Sequence, residues 1–275
     1  MHPALRRSRR ANIALVKRLL YLEGGRPRRW LGQSFLVDPL GFKIFLGALQ
    51  RVGGSWWLEI GLGPGLLTCE AQSMVSPIVG YEIDLAMARA AARLCSGSGR
   101  VLIVHGDGLQ ALSAWRGPVY SNTPYSLTSR IISGAARNNR VPVAVLGMQH
   151  ELALRVLARP GTRDYGRLSV LTQLFFRAEY AGFLRRDWFY PRPRVDGSVI
   201  IMRRKMNWSR ELEGFEEFTA CLFHQRNRKA RKVVRTCTGG SIDDPDLERV
   251  RIRDLSPETV LEVFLRWKNL SRLGG

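Results

Sequence analysis

The segment Trp57-Leu58-Glu59-Ile60-Gly61-Leu62-Gly63-Pro64-Gly65 constrains this chain more than any other. It reads as a strand that runs into a glycine-rich turn, which in turn opens a helix. Glycines at alternate positions let a backbone approach a ligand closely and adopt positive φ where the turn requires it. A dinucleotide-binding turn carries G-x-G-x-x-G, with the pyrophosphate on the helix N-terminus. Here the third glycine comes one position early, and Pro64 sits inside the turn. A turn that merely packs a strand on a helix is the alternative.

The rest of the chain fits that unit into a larger pattern. From Trp30 to about Arg204, short apolar runs alternate with helical stretches, as βαβ units in a mostly parallel sheet require. Strands are expected at residues 56–60, 78–82, 101–105, 119–121, 143–148 and 199–203, with helices between them such as 85–94 and 151–158. From Lys205 the strand signal stops, and 211–223, 226–235 and 257–273 read as helices. The expected division is therefore an α/β domain over 1–204 and a small helical domain over 205–275.

Polar groups fall at successive strand ends. Glu82 ends the second strand, where a carboxylate can accept both hydroxyls of a ribose in bidentate fashion. That would serve a nicotinamide dinucleotide or S-adenosylmethionine equally. Asp107 follows the third strand and suits either a helix N-cap or a ligand contact. The form Glu-x-Gly-x-Gly-x-Gly resembles motif I of S-adenosylmethionine-dependent methyltransferases. That resemblance implies the class I, Rossmann-like methyltransferase fold, S-adenosylmethionine as cofactor, and Asp107 on the adenine amino group.

The fourth strand runs into Ser121-Asn122-Thr123-Pro124-Tyr125. Asn, Pro and Tyr are ordinary turn residues, but the placement suits a specific chemistry. The lone pair of adenine N6 is delocalised into the ring, so the nitrogen is a poor nucleophile. Accepting both N6 hydrogens favours a more pyramidal nitrogen with its lone pair free. Asn122 offers a side-chain amide oxygen for this, and Thr123 a backbone carbonyl. Pro124 stiffens the turn, and Tyr125 offers a face on which an extruded base can stack.

Across residues 30–235 the chain is similar to the rRNA adenine N6,N6-dimethyltransferases (KsgA type) and the related erythromycin-resistance rRNA methylases. Leu31-Gly32-Gln33-Ser34-Phe35-Leu36-Val37-Asp38 resembles the family's G-Q-N-F-L-x-D opening, and Asn122-Thr123-Pro124-Tyr125 its N-L-P-Y. Arg159-Pro160-Gly161 through Tyr165-Gly166-Arg167-Leu168-Ser169-Val170 is similar to K-P-G-x-x-x-Y-G-R-L-S-V. Phe189-Tyr190-Pro191-Arg192-Pro193-Arg194-Val195-Asp196-Gly197-Ser198-Val199 is similar to F-x-P-P-P-K-V-D-S-A-V, and Phe223 to Lys229 to a basic F-x-x-R-x-K segment. The resemblance implies cofactor contacts at Gln33, Ser34, Leu36, Glu59, Gly61, Gly63, Glu82, Asp107 and Asn122. It implies Tyr125 and Phe189 against the target adenine, beside the catalytic Asn122, Thr123 and Pro124. Ser34, Thr123 and Arg192 depart from the family pattern, and Arg192 adds charge next to the expected base pocket. The stretch around Asn227 looks more like archaeal or eukaryotic members than bacterial ones.

Charge fits a nucleic-acid substrate. Lys and Arg number 43 against 23 Asp and Glu, a net +20 that calls for a polyanionic partner. Arg226, Arg228, Lys229, Arg231, Lys232 and Arg235 lie in ten residues without an acid, so RNA contact is expected there. The basic arm Arg6–Arg10 is expected either to track phosphates or to lack order. No apolar run approaches the roughly 18 residues that span a bilayer, and the basic start is followed by no apolar signal core. Cys69, Cys95, Cys221 and Cys237 are scattered, which suggests isolated thiols in a reducing cytoplasm and no metal site. The expected function is dimethylation of adenosine N6, at two adjacent positions near the 3′ end of small-subunit rRNA, by a cytoplasmic monomer. A DNA or large-subunit rRNA adenine methyltransferase, or an RNA-binding assembly factor with little catalysis, is the alternative.

Overall fold

The computed structural model describes residues 7–28, 32–97, 99–122 and 127–273. The chain divides into two compact units. Met1–Ala153 with Glu179–Arg204 form one, and Leu154–Ala178 with Lys205–Gly275 the other.

The first unit is an α/β layer structure. Its strands are β2 (Trp57–Ile60), β3 (Ile78–Glu82), β4 (Val101–His105), β5 (Val119–Ser121), β6 (Val143–Gln149), β7 (Phe176–Leu184, in this unit from Glu179) and β9 (Gly197–Arg204). They lie in the order β4-β3-β2-β5-β6-β9-β7. Strands β2 to β6 pair in parallel, and β9 returns antiparallel along β6, from Val143 opposite Arg203 to Gln149 opposite Gly197. Strands β2 and β5 are buried at every residue, as expected of a sheet covered on both faces. Chain order runs outward from β2 to β4, then restarts at β5 on the other side of β2. A crevice opens where such an order reverses, at the carboxyl ends of the strands.

The connecting helices begin on capping residues. Asp38 caps α2 (Pro39–Val52), with Pro39 in the first turn; Asp84 caps α4 (Leu85–Leu94), and Asp107 caps α5 (Gly108–Ala114). The helices α3 (Leu66–Ala71) and α6 (Thr128–Arg137) follow the glycine turn and Asn122. The Arg204 guanidinium donates to the carbonyls of Ala135, Ala136, Asn138 and Val141, which satisfies the otherwise open end of α6. A two-residue ribbon, β1 (Phe35–Leu36) with β8 (Phe189–Tyr190), lies outside the main sheet.

The part of the N-terminal arm within the described residues is an ordered helix, α1 (Arg9–Leu22), capped by the Ser8 hydroxyl. Val16, Leu19 and Leu20 are buried, and the Asn12 amide donates to the Val37 carbonyl at 2.9 Å. Its apolar spacing is hidden in sequence by the density of arginines. Trp56 also differs from expectation. It is exposed at φ +58°, so β2 starts one residue later.

In the second unit, α8 (Arg167–Phe175) packs against α9 (Phe215–His224) and α11 (Pro257–Leu273). The Tyr165 hydroxyl donates to the Leu255 carbonyl, and Phe215, Phe218, Phe264 and Trp267 form an aromatic cluster. The first unit ends at Arg204, and Leu154–Ala178 group with the C-terminal residues because α8 finds its apolar partners there. The expected helix over 226–235 is α10 (Ala230–Cys237) alone, preceded by a turn. Helix α7 (His150–Leu157) ends β6.

The cysteines correct an expectation. They are not isolated thiols but two disulfides, Cys69–Cys95 and Cys221–Cys237, with Cα separations of 5.5 and 6.0 Å. Cys69 on α3 meets Cys95 just past the end of α4, and Cys221 on α9 meets Cys237 on α10; only the fold brings them together, so spacing in sequence carries no signature of it. The cysteine pattern therefore does not argue for a reducing compartment. Among the described residues no helix is long and apolar enough to cross a membrane.

Candidate active site

A cleft in the first unit opens at the carboxyl ends of β2, β3, β4 and β5. Its lining includes Gln33, Ser34, Phe35, Gly61, Gly63, Glu82, Asp107, Asn122 and Arg130. The strand-end groups named from sequence thus converge on one space at the reversal of strand order. Ser121 clasps the two central strands there, its hydroxyl donating to the Ile60 carbonyl at 2.8 Å.

The glycine turn is built for close approach. Gly63 has φ +57°, and a Cβ there would meet the Phe35 ring at 2.8 Å. Gly65 has φ +84°, and a Cβ would meet that of Ala91 at 2.8 Å, so α3 and α4 also touch only because this residue has no side chain.

Glu82 is 6% exposed, and burial raises its carboxyl above the ordinary value. Its Oε2 accepts from Gly63 N at 2.8 Å and its Oε1 from Asp84 N at 3.0 Å. Each oxygen retains further acceptor capacity, so the group is fixed in orientation and still able to receive a pair of hydroxyls. Asp107 lines the cleft while its Oδ1 accepts from Leu109 N at 2.8 Å. Capping the helix therefore does not take Asp107 out of the cleft lining.

Gln33 and Ser34 line the cleft as expected, but their polar atoms are engaged. Gln33 Nε2 donates to Asp84 Oδ2 at 3.2 Å and its Oε1 accepts from Arg28 N; Ser34 Oγ donates to the Pro191 carbonyl at 2.7 Å. They form the wall. Asp84 is the residue sequence reasoning missed here: it caps α4, holds Gln33 and lies 3.4 Å from the Arg28 guanidinium.

Three expected contacts do not line this space. Leu36 and Phe189 are directly opposed in the β1–β8 ribbon, so both side chains leave by one face, and that face is the core, at 2% and 4% exposure. Alternation sends Phe35 and Tyr190 the other way, and it is Phe35 that reaches the cleft. Glu59 is buried behind the turn, where its Oε2 accepts from the Tyr120 hydroxyl at 2.6 Å. Burial pushes its carboxyl up to about 7, against an ordinary value of 4.5. It shapes β2 and does not face the ligand space.

Asn122 lines the cleft, and its carboxamide packs on Gly147 of β6. A Cβ at 147 would overlap Asn122 Oδ1, lie 3.2 Å from its Cγ and 3.0 Å from Phe45 Cε2. Gly147 therefore holds open the place the amide occupies. No local pattern marks it, since it sits within a plain strand. Thr123, Pro124 and Tyr125 lie outside the described residues.

The basic run of the second unit is more neutralised than its sequence suggests. Arg231 is paired with Asp243 at 2.6 Å and Glu248 at 3.2 Å, and Lys229 with Glu248 at 3.5 Å. Arg226 donates to the carbonyls of Arg163 and Tyr165. Arg228 is exposed. Acids twelve and more residues downstream fold back onto the run, which its own ten residues could not reveal.

Comparison with known proteins gives concordant likenesses. The family described as ribosomal RNA adenine dimethylase matches residues 25–268. A probable ribosomal RNA small subunit methyltransferase A from Aeropyrum pernix is 42% identical over 224 residues, which is 80% of this chain and 80% of that protein. The solved dimethyladenosine transferase of Plasmodium falciparum shares the fold, with a TM-score of 0.73 at 19% identity over 85% of this chain and 97% of that one. The solved 23S rRNA methyltransferase ErmE gives a TM-score of 0.61 at 25% identity, over 84% and 98%.

Proposed function

The chain belongs to the ribosomal RNA adenine dimethylase family, and from that premise we propose that its cleft methylates N6 of two adjacent adenosines near the 3′ end of small-subunit rRNA. The protein is an S-adenosylmethionine-dependent rRNA adenine dimethyltransferase with a class I methyltransferase fold. The small subunit as substrate, the positions modified and the roles of single residues are our reading, as are the cytoplasm as the place of reaction and a monomer as the working form. One observation carries it. Gly61, Gly63, Glu82, Asp107 and Asn122 line a single cleft at the reversal of strand order.

The cofactor fits what the cleft offers: a glycine turn whose Gly61 and Gly63 line it, and an oriented, buried carboxylate with acceptor capacity to spare. When bound, S-adenosylmethionine supplies an electrophilic methyl group. Glu82 receives its ribose hydroxyls and Asp107 its adenine amino group, while Phe35, Gln33 and Ser34 form the wall. Asn122 accepts one N6 hydrogen of the target, and the Thr123 carbonyl the other, which frees the nitrogen lone pair for attack. Once methylated the nitrogen is acidic, so water can take its proton and no strong general base is required. Tyr125 gives the base a stacking surface; Phe189 supports the ribbon that carries Phe35.

The test is transfer of labelled methyl to small subunits that lack the modification, followed by mapping of the modified residues. We expect two adjacent dimethyladenosines, lost in Asn122→Ala. Label appearing only in large subunits or DNA would overturn the substrate, and full transfer by a folded Asn122→Ala would overturn the site.

A further inference from the structure

Several exposed cations among the described residues lie beside the cleft. Arg9 and Arg10 open α1, and Lys17 follows Arg10 by seven residues, so these two share one helix face. The opposite face is spent on the core through Val16, Leu19 and Leu20. Lys17 Nζ sits 5.4 Å from the centre of the Tyr190 ring, which places this cationic face against the β1–β8 ribbon. On either side of β8 in sequence, Arg186 donates through Nη1 to the Arg194 carbonyl at 3.2 Å, and Arg186 and Arg194 are exposed. Arg9 is close enough to help lower the Asp187 carboxyl, after the larger effect of Arg185 hydrogen bonding to it. The acids here are committed: Asp187 pairs with Arg185 at 3.0 Å, and Asp196 accepts from Arg186 N at 2.7 Å. The ribbon itself walls the cleft through Phe35, and the Ser34–Pro191 hydrogen bond ties wall to surface.

We propose that Arg9, Arg10, Lys17, Arg186, Arg192 and Arg194 form a second RNA-binding surface, which holds the phosphodiester backbone of the strand next to the target adenosine. The proposal rests on the cleft receiving an RNA adenosine, and adds where the flanking strand lies. Phosphate contacts of this kind position a nucleic acid without reading its sequence. They also suit the geometry, because exposed cations at a cleft edge can neutralise a backbone while one base enters the cleft. An anionic membrane fits less well. A helix that lies on a bilayer inserts its apolar face, and that of α1 is already buried in the protein.

The test reverses three charges that have no role in the cleft: Arg10→Glu, Arg192→Glu and Arg194→Glu together. An acid in the first turn of α1 is favoured by the helix dipole, so the helix should persist, and circular dichroism checks it. The probe is a 3′-terminal fragment of small-subunit rRNA with unmodified adenosines, titrated across KCl concentration. We expect Kd at about 0.1 M KCl to rise about tenfold or more, and the slope of log affinity against log salt to fall by about 0.7–0.9 per lost contact. S-Adenosylmethionine affinity by calorimetry should not change. An unchanged Kd and slope would overturn the proposal. So would wild-type binding to phosphatidylserine vesicles that the triple variant loses while keeping RNA. If wild type transfers no methyl to this RNA, yet the variant still flattens the salt slope, the adenosine reading falls and the surface stands.

Discussion

Replacing Gly147 by alanine should disable the enzyme without replacing any group that meets substrate. The backbone there is not left-handed, so alanine is conformationally allowed, and the effect comes from space alone. Ordinary C···O contacts lie at about 3.3–3.6 Å. The new methyl would overlap Asn122 Oδ1 and crowd Phe45 Cε2 at 3.0 Å, so the carboxamide must move by on the order of 1 Å. A misplacement of that size can cost about a hundredfold in rate, equivalent to about 3 kcal/mol in the barrier. Overpacking a buried strand adds about 1–3 kcal/mol of lost stability. The assay is single-turnover methyl transfer to unmodified small subunits by Gly147→Ala, Asn122→Ala and the double variant. Because Asn122→Ala leaves no carboxamide to displace, the double variant should be no slower than Asn122→Ala and should recover part of the lost stability. Such non-additivity is the signature of action through a neighbour. Turnover within about twofold of wild type for Gly147→Ala, or rate losses that add in the double variant, would refute the reasoning.

Three further outcomes follow from the geometry. Glu82→Ala should weaken S-adenosylmethionine binding by about 2–3 kcal/mol, the scale of a charge-assisted hydrogen bond left unmade, with unchanged affinity by calorimetry as the contrary result. Glu59 has a folded pKa of about 7 against 4.5, so its contribution is fully present below about pH 4.5 and is lost as pH rises through 7. Denaturation curves should therefore show Glu59→Gln gaining on wild type by on the order of 3 kcal/mol between about pH 4.5 and 8.5, and a pH-independent difference would count against the burial argument. Replacing Cys69 and Cys95 by serine should cost about 3.5 kcal/mol for a loop of this length, read as a lower thermal midpoint that reductant does not lower further through this pair.

What was legible in the sequence was what neighbouring residues decide. The glycine turn, Asp107 and Asn122 each follow a short strand and Glu82 ends one, so one-dimensional pattern placed them at strand ends, and parallel order then brought them together. Strands β3, β4 and β5 have the expected limits for the same reason. What escaped depends on contacts between distant segments. A ribbon of two residues has too little alternation to reveal which of Phe35 and Leu36 faces the cleft. Gly147 looks like an interruption of a buried strand until Asn122 is seen against it. The pairing of Cys69 with Cys95, and of Arg231 with Asp243 and Glu248, is created by helix packing and chain reversal.

The interleaving of the two units has a consequence for how the protein is made. A chain leaving the ribosome would present Met1–Ala153 well before Glu179–Arg204, whose strand β9 pairs with β6 and whose Arg204 closes the end of α6. The first unit is thus incomplete until residue 204 has emerged. By then Leu154–Ala178 is also out, still waiting for partners encoded in the stretch from Lys205 onward. Domains ordinarily fold as units in order of synthesis, but here each unit is interrupted by a piece of the other. A fragment that ended at residue 204 would therefore not be a free-standing catalytic domain. It would carry α8 with Val170, Leu171, Leu174 and Phe175 stripped of the helices that bury them, an apolar strip of the kind that draws chaperones and promotes aggregation.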